Sequence, residues 1–164
     1  MKSIISLLLT ALILFSLGSC NRKSISFSDE LDCTSLSDQA LGEIDQSNTY
    51  ATADEQFLAD YFKTPIYVTD SVVRFATDSS NLNEIGIFHT TDGNTEEMAK
   101  LLKTYLIQSY EKNHAWYDSY IPSEIPKLRD AEIRIYGNYV VYAILSKESK
   151  NNVFQYIENQ LRLS

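Results

Sequence analysis

The two runs on either side of Gly137-Asn138 constrain the fold of this chain more than any other feature of its sequence. Residues 131–136 alternate apolar and charged side chains, whereas residues 139–145 are apolar throughout. A two-residue connection that contains glycine, placed between runs of this kind, is typical of a tight antiparallel hairpin. The sequence therefore predicts a β-hairpin over residues 131–145 and a sheet to which it belongs.

A second hairpin is predicted in the middle of the chain. Residues 68–77 are rich in β-branched side chains, and the run Asp-Ser-Ser-Asn at 78–81 is polar. Residues 84–89 then have the character of a strand, with two isoleucines on one face and Phe88 on the other. We expect these two strands to pair in an antiparallel arrangement.

Four segments have the apolar spacing of amphipathic helices. The longest begins at Asn94, which together with Glu97 has the form of an N-terminal cap pair, and runs toward His114 or Trp116. The other three predicted helices cover residues 37–44, 53–62 and 150–163. Two prolines within residues 120–129 make that segment a connection with one helical turn.

These elements predict an α+β fold with a four-stranded, mainly antiparallel sheet made of two hairpins, and with helices packed on one face. Residues 36–164 are expected to form a single domain, because a segment of this length buries a sizeable core and 44% of the chain is hydrophobic. The sequence contains no internal repeat and no sign of a second domain.

The start of the chain has the pattern of a lipoprotein signal peptide. An apolar stretch at residues 4–15 follows a lysine and is too short to span a bilayer. Residues 17–20, Leu-Gly-Ser-Cys, match a lipobox, in which the cysteine thiol accepts the lipid. We expect residues 1–19 to be removed, Cys20 to be lipidated and residues 20–35 to form a flexible tether. The alternatives are a secretory peptide cleaved elsewhere and an uncleaved anchor.

The charge of the chain argues against nucleic acid as a partner. Asp and Glu number 22 against 14 Lys and Arg, which gives a formal net charge of −8. Binding to a phosphate backbone requires a cationic face. The partners we expect are the membrane, through the N-terminal lipid, and a protein, peptide or glycan ligand.

The sequence contains no recognisable catalytic, cofactor-binding or metal-binding motif. His89 and His114 end different elements and lack the spacing of metal ligands. Cys33 has no disulfide partner once Cys20 carries lipid, and we interpret it as an inert thiol. A Gly-x-Ser-x-Gly elbow and a glycine-rich phosphate loop are both absent from the sequence. No catalytic residue, cofactor or metal is therefore predicted.

Aromatic residues provide the one group of side chains that could form a recognition surface, and the chain has eleven tyrosines. The candidates are Tyr110, Trp116, Tyr117, Tyr120, Tyr136, Tyr139 and Tyr142. Tyrosine combines apolar area with a hydroxyl and so suits contacts with sugars, peptides and proteins. It also fills half-buried positions of strands, and packing is the interpretation that we favour over a binding face.

Three segments give the chain a family resemblance. They are Asn-Glu-Ile-Gly-Ile-Phe at 83–88, Tyr-Ile-Pro at 120–122 with the residues that lead to Ala131, and Gly-Asn-Tyr-Val-Val at 137–141. Together with the lipobox, they resemble the bacterial lipoprotein family of the domain of unknown function four-three-five-eight type. The resemblance runs from about Leu36 to the C-terminus. It implies a lipoprotein and a shared fold, and it carries no catalytic residues over to this chain.

The function expected from these observations is that of an extracytoplasmic lipoprotein anchored to the cell membrane. Its α+β domain would act as a non-catalytic binding or interaction module. An enzyme or enzyme accessory of the envelope, with no recognisable motif, is the alternative. A substrate-capture module of a transporter is less favoured, because such proteins usually have two lobes.

Overall fold

The computed structural model describes residues 25–44 and 48–163. The helices are α1 (Cys33–Gly42), α2 (Glu55–Phe62), α3 (Thr95–Tyr120), α4 (Ile125–Arg129) and α5 (Lys147–Leu161), with a 3₁₀ turn at Pro122–Glu124. The strands are β1 (Tyr50–Thr52), β2 (Val68–Ala76), β3 (Glu84–Thr90), β4 (Glu132–Tyr136) and β5 (Tyr139–Ile144). The α+β class predicted from the sequence is confirmed.

The strands form one antiparallel sheet in the order β1-β2-β3-β5-β4. Both predicted hairpins are present, and the second turns at Gly137, whose φ of 58° lies in the left-handed region that favours glycine. The prediction of four strands was wrong by one. The additional strand β1 has three residues and pairs with residues 74–76 of β2, so it is too short to give a recognisable alternation in the sequence.

Helices cover both faces of the sheet, which corrects the prediction of helices on one face. All six residues of β5 are buried. Tyr139, Val141 and Ala143 pack with α1 and α5, whereas Val140, Tyr142 and Ile144 pack with α2, α3 and α4. A strand that is apolar on both sides requires cover on both sides, so the unbroken apolar run of β5 explains the two layers.

The long helix α3 extends past its predicted end to Tyr120. Ile121 follows it and precedes a proline, a position at which the α conformation is disfavoured. Asn94 is the N-cap residue, but its side chain donates backward to Thr91 and the Asp92 carbonyl and makes no capping hydrogen bond. The predicted cap pair is therefore correct in position and wrong in its hydrogen bonding.

The described N-terminal segment is part of the folded domain. Phe27 forms an isolated bridge with Arg162, and the Ser28 amide donates to the Leu161 carbonyl at 2.7 Å. Helix α1 begins at Cys33, ahead of the residue 35 at which the tether was expected to end. Residues 1–19 and Cys20, which carry the signal-peptide and lipidation predictions, lie outside the described residues. Within the described residues, no helix is both long and apolar enough to cross a bilayer.

Candidate functional site

Glu84, at the start of β3, accepts hydrogen bonds from two tyrosine hydroxyls beneath helix α3. Tyr142 of β5 donates its hydroxyl to Oε1 of Glu84 at 2.6 Å, and Tyr105 of α3 donates to the same oxygen at 2.8 Å. Among the residues that the structure describes, none donates a hydrogen bond to the other carboxyl oxygen, Oε2. The carboxyl is therefore held in place from one side by two different elements.

Gly86 makes this arrangement sterically possible. It is the register partner of Tyr142 on the neighbouring strand. A Cβ at Gly86 would lie 2.8 Å from Cδ1 and Cζ of the Tyr142 ring and would overlap Cε1. Gly86 is thus required for space, since the ring fills the position of a side chain and thereby reaches Glu84.

Burial changes the proton affinities of this cluster. Loss of solvent raises the pKa of Glu84, and the hydrogen bonds from Tyr142 and Tyr105 counteract that rise only in part. Burial, followed by the charge of Glu84, raises the pKa of Tyr142 well above its usual value. Both tyrosines remain hydroxyl donors, and the Glu84 carboxyl takes up its proton at a higher pH than an exposed glutamate does.

A cavity of about 300 Å³ opens beside this carboxyl. Its walls come from α2, the ends of β2 and β3 with the loop that joins them, and α3, and we call it the Glu84 cavity. The lining residues are Phe57, Phe75, Ala76, Asp78, Ser79, Asn81, Leu82, Asn83, Glu84 and Tyr117. Burial and the charges of Glu124 and Glu84 raise the pKa of Tyr117, so this wall is apolar and close to negative charge.

Lys127 of α4 fixes the loop that forms one wall of the cavity. Its ammonium donates to Oδ1 of Asn83 at 2.9 Å, to Oδ1 of Asn81 at 3.2 Å and to Oε2 of Glu124 at 2.8 Å. The same Glu124 oxygen accepts the Leu82 amide at 2.8 Å. The charge of Lys127 is thus neutralised, and its hydrogen bonds hold both asparagine side chains in place.

A second opening, of about 520 Å³, lies between α3 and the edge strand β4, and we call it the β4 cleft. Its lining residues are Lys103, Leu106, Ile107, Tyr110, Glu111, Leu128, Arg129, Ala131 and Ile133. The floor and walls are mainly aliphatic, and charged groups of both signs are present. The cleft shares no lining residue with the Glu84 cavity.

The backbone of β4 is open along this cleft, because β4 is the last strand of the sheet. In a hairpin with a two-residue turn, the residues that flank the turn exchange hydrogen bonds, and such pairs alternate along the strands. Tyr136 and Tyr139 flank the turn. The N–H and C=O groups of Ile133 and Ile135 consequently point away from β5, toward an edge at which no strand of the described residues pairs.

The aromatic residues singled out from the sequence do not form one surface. Tyr136, Tyr139 and Tyr142 are buried, in two different core clusters. Tyr110 lines the β4 cleft and Tyr117 lines the Glu84 cavity. Trp116 and Tyr120 are exposed near the end of α3, and their tilted rings have centroids 5.0 Å apart.

The two histidines have separate surroundings. His89 contacts Thr69, Tyr139 and Asp29, whereas His114 stacks on Tyr110 within α3. Among the described residues, no group of three or more Cys, His, Asp or Glu side chains is arranged to hold a metal ion.

Cys33 is a free thiol that is completely buried. Burial and the neighbouring Asp70 carboxylate raise its pKa, which disfavours the nucleophilic thiolate. The thiol therefore has the environment of a core residue and not that of an activated nucleophile.

Sequence reasoning missed both Glu84 and the cleft. The signal for Glu84 was Gly86, which lies two residues later on the same face of β3. The second part of the signal was Tyr142, which lies inside the apolar run of β5. The signal for the cleft was Ile107, which lies next to the predicted apolar stripe of α3 and is 49% exposed. Neither could be located without the register of β3 with β5.

A protein-family model described as "Domain of unknown function (DUF4358)" matches residues 43–145, more than half of the chain. The matched range contains all five strands and helices α2 to α4, and it includes the Glu84 cavity and the β4 cleft. Helices α1 and α5 lie outside it. No curated protein and no solved structure matches the chain.

Proposed function

Because the chain belongs to the family described as a domain of unknown function (DUF4358), whose description assigns no activity, we propose a function from its own residues. The protein is a membrane-anchored extracytoplasmic lipoprotein, and its domain binds an extended peptide segment of a partner protein in the β4 cleft. The observation that carries this proposal is the open backbone edge of β4 beside an apolar cleft.

A peptide strand added to β4 would satisfy the outward backbone groups of Ile133 and Ile135. Side chains of a strand alternate between faces, so every second side chain of the peptide would enter the cleft. There it would contact Leu106, Ile107 and Leu128. Main-chain hydrogen bonds supply affinity in this mode of recognition, and the cleft supplies selection for apolar side chains.

The chemistry of the cleft favours a peptide over a glycan. Five of its nine lining residues are aliphatic, and Tyr110 is the single aromatic residue among them. Ile107 and Ile135 leave 49% and 36% of their surfaces exposed beside the strand edge. Sugars are recognised mainly by aromatic faces and hydrogen-bonding side chains, which are fewer here than apolar groups.

The anchoring part of the proposal depends on the lipobox at residues 17–20. Two acyl chains give stable attachment, since each buried methylene contributes about 0.8 kcal/mol. Intact-mass analysis of protein purified from native membranes should give a chain that starts at Cys20 and carries acyl groups. The Cys20→Ala variant should lack them. Retention of Met1, or a soluble wild-type protein, would contradict the anchoring.

The peptide-binding part is tested with the full chain immobilised in detergent and short random peptides displayed on phage. A selected peptide is synthesised and examined by hydrogen–deuterium exchange. We expect alternating apolar residues in the selected sequences and slower exchange at the amides of Ile133 and Ile135. Ile107→Glu and Ile135→Glu should weaken binding about tenfold or more, because each places a charge in an apolar contact.

Tyr61→Glu is the matched control, since Tyr61 is 49% exposed on α2, outside the lining of the cleft. It should leave peptide binding unchanged. Protection of amides elsewhere in the sheet, or equal binding by the Ile107→Glu and Tyr61→Glu variants, would refute the assignment of the β4 cleft.

A further inference from the structure

The hairpin turn between β4 and β5 lies at one end of the sheet, and the first described residues of the chain lie beside it. A Cβ on Gly137 would lie 2.9 Å from the Cβ of Phe27, whose backbone bridges to Arg162 just after α5. The Thr90 amide at the end of β3 donates to the Asn138 carbonyl at 3.0 Å, and β2 begins opposite Thr90. We call this the turn end, and it comprises residues 25–32, 63–67, 91–94, 137–138 and 161–163.

Exposed apolar side chains gather at the turn end. Ile25, Leu31, Ile66 and Leu163 all belong to it, and each is among the large apolar residues that stay exposed in the folded chain. Single exposed apolar residues are ordinary on a protein surface. These four come from three segments that are distant in sequence, and the fold brings them to the same end of the domain.

Ile66 is held at the tip of an ordered turn. The Val68 amide donates to the Pro65 carbonyl at 2.9 Å, which closes the turn around Ile66. The Thr91 amide donates to the Tyr67 carbonyl at 2.9 Å and ties the turn to the end of β3. The Ile66 side chain is fully exposed, so folding removes none of its apolar surface from water. That surface is free to be buried in an apolar surrounding outside the domain.

The site predicted to carry lipid is close to the turn end along the chain. Four residues, 21–24, separate Cys20 from Ile25. A fully extended chain covers at most about 3.6 Å per residue, so the five steps from Cys20 to Ile25 span about 18 Å or less. A domain attached in this way keeps its turn end near the lipid surface. The local concentration of bilayer at this end is therefore high without any further binding energy.

The charges of the turn end do not favour an electrostatic attachment. Its described residues include two cations, Lys63 and Arg162, and four carboxylates. Asp29 and Asp92 both accept from Nδ2 of Asn138, at 3.0 and 2.6 Å, and are thereby held against the turn. Attraction to anionic lipid requires a cluster of basic residues. The surface instead suits apolar contact with the interfacial layer of a bilayer, including one made of neutral lipid.

We propose that the turn end rests on the bilayer that holds the lipidated Cys20, with Ile66 and its exposed apolar neighbours inserted among the lipid headgroups. The inference rests on the anchoring proposed above and adds a second contact, which the folded domain makes itself. It is independent of the peptide binding proposed for the β4 cleft. Helix α3 starts beside the turn end, and Trp116 lies about 32 Å along it from Thr95. This orientation therefore keeps Trp116 away from the lipid.

Fluorescence quenching by brominated lipid tests the orientation, because the chain has a single tryptophan, Trp116. The protein is purified from native membranes and reconstituted in vesicles of phosphatidylcholine with brominated acyl chains, which quench tryptophan on contact. A variant that combines Ile66→Trp with Trp116→Phe moves the single tryptophan to the turn end. We expect quenching of about half or more in this variant and of about a tenth or less in the wild type, since only position 66 would lie in the bilayer interface.

The wild type is a matched control, because Trp116 is itself exposed and has the same preference for the bilayer interface. Unequal quenching consequently reports which end of the domain faces the lipid. Equal quenching of the two proteins, or none in the variant, would overturn the proposal. Flotation of the vesicles separates the two possible failures. Protein that does not float contradicts the anchoring and this inference with it, whereas protein that floats without quenching at position 66 contradicts the bilayer contact alone.

Trypsin measures the contact without an added tryptophan. Arg22 and Lys23 provide cleavage sites between Cys20 and the domain. Ile66→Asp should release the domain from vesicles about tenfold faster than the wild type, because a carboxylate disfavours contact with lipid and exposes the connecting residues. Ile107→Asp makes the same change at an exposed position of α3, outside the turn end.

The Ile107→Asp variant should be released at the wild-type rate. Mass spectrometry of the released domain confirms cleavage after Arg22 or Lys23, and near-ultraviolet circular dichroism checks that both variants are folded. Equal release rates for the wild type and the two variants would refute the contact at Ile66.

Discussion

The ring of Tyr142 occupies the space that a side chain at Gly86 would fill, and this packing brings the tyrosine hydroxyl to 2.6 Å from Oε1 of Glu84. The two residues are register partners on the central strands β3 and β5. One contact between neighbouring strands therefore fixes both the packing of the sheet and the position of the buried carboxyl.

Replacement of Gly86 by alanine should destabilise the protein by about 1–3 kcal/mol, the usual cost of an added methyl group in a packed core. The new Cβ would overlap the Tyr142 ring. The free energy of unfolding in urea measures the effect. Gly42→Ala is the control, because a Cβ there meets no atom within 4 Å. It should be neutral or slightly stabilising, and an equal loss in both variants would contradict the steric argument.

The raised pKa of Glu84 predicts a specific pH dependence of stability. The folded chain retains the Glu84 proton at pH values where the unfolded chain, with an ordinary glutamate pKa of about 4.3, has already lost it. The contribution of Glu84 to stability is therefore lost as the pH rises from about 4.3 through the raised pKa of Glu84 in the folded chain. In Glu84→Gln this loss is absent, so the variant should gain stability relative to the wild type as the pH rises above about 4.3.

Urea unfolding of both proteins at a series of pH values from about 4.3 upward measures the difference. Other carboxyls whose pKa is lowered, such as Asp78 and Asp130 through their hydrogen bonds, act in the opposite direction. Their contribution cancels when the variant is compared with the wild type. A difference that stays constant with pH would contradict the raised pKa of Glu84.

The ion pair between Lys150 and Glu132 should respond differently to replacement of its two members. Its ammonium is buried, lies 3.0 Å from Oε1 of Glu132 and also donates to the Asp130 carbonyl. Glu132→Gln leaves a buried charge without its counter-ion and should cost about 3 kcal/mol, whereas Lys150→Met replaces the ammonium with an apolar group and should cost less. Glu132 is partly exposed and can be hydrated when it loses its partner. Urea midpoints of the two variants test this, and a larger loss in Lys150→Met would contradict it.

Cys33 should be unreactive in the folded protein. Its thiol is buried, and burial together with the Asp70 charge raises its pKa. In the Cys20→Ala chain Cys33 is the only thiol, since the sequence has two cysteines. Iodoacetamide should modify it completely in urea and not detectably in native buffer over the same time, as measured by mass spectrometry. Similar rates in the two conditions would mean that the N-terminal part of α1 opens readily.

The sequence was sufficient for the elements that have strong local patterns. The second hairpin was predictable because the glycine turn and the alternation of residues 131–136 agree with each other. Strand β1 was not predictable, because three residues carry too little pattern and Tyr50–Thr52 becomes a strand only by pairing with β2. The two-sided cover of the sheet could have been predicted from the unbroken apolar run at residues 139–144, all of which are buried in the structure.

The candidate sites depend on contacts between residues that are distant in sequence. Tyr142 meets Glu84 only because the β3–β5 register places Gly86 opposite the tyrosine. The β4 cleft exists because β4 lies at the edge of the sheet, which the prediction of two hairpins left undetermined. Local spacing therefore predicted the strands correctly and could not predict which side chains meet across them.

The N-terminal segment joins the sheet at one particular end. Asn138 in the turn of the second hairpin donates to Asp29 at 3.0 Å, whereas Glu84 pairs with Ile144 at the other end of the same strands. Five residue steps of about 3.4 Å separate Glu84 from His89, so the two ends are roughly 17 Å apart. If Cys20 is lipidated as proposed, the hairpin turn is the end of the sheet at which the anchored segment attaches, and Glu84 lies at the opposite end. Solutes in the surrounding medium would then encounter the cavity without first approaching the lipid headgroups.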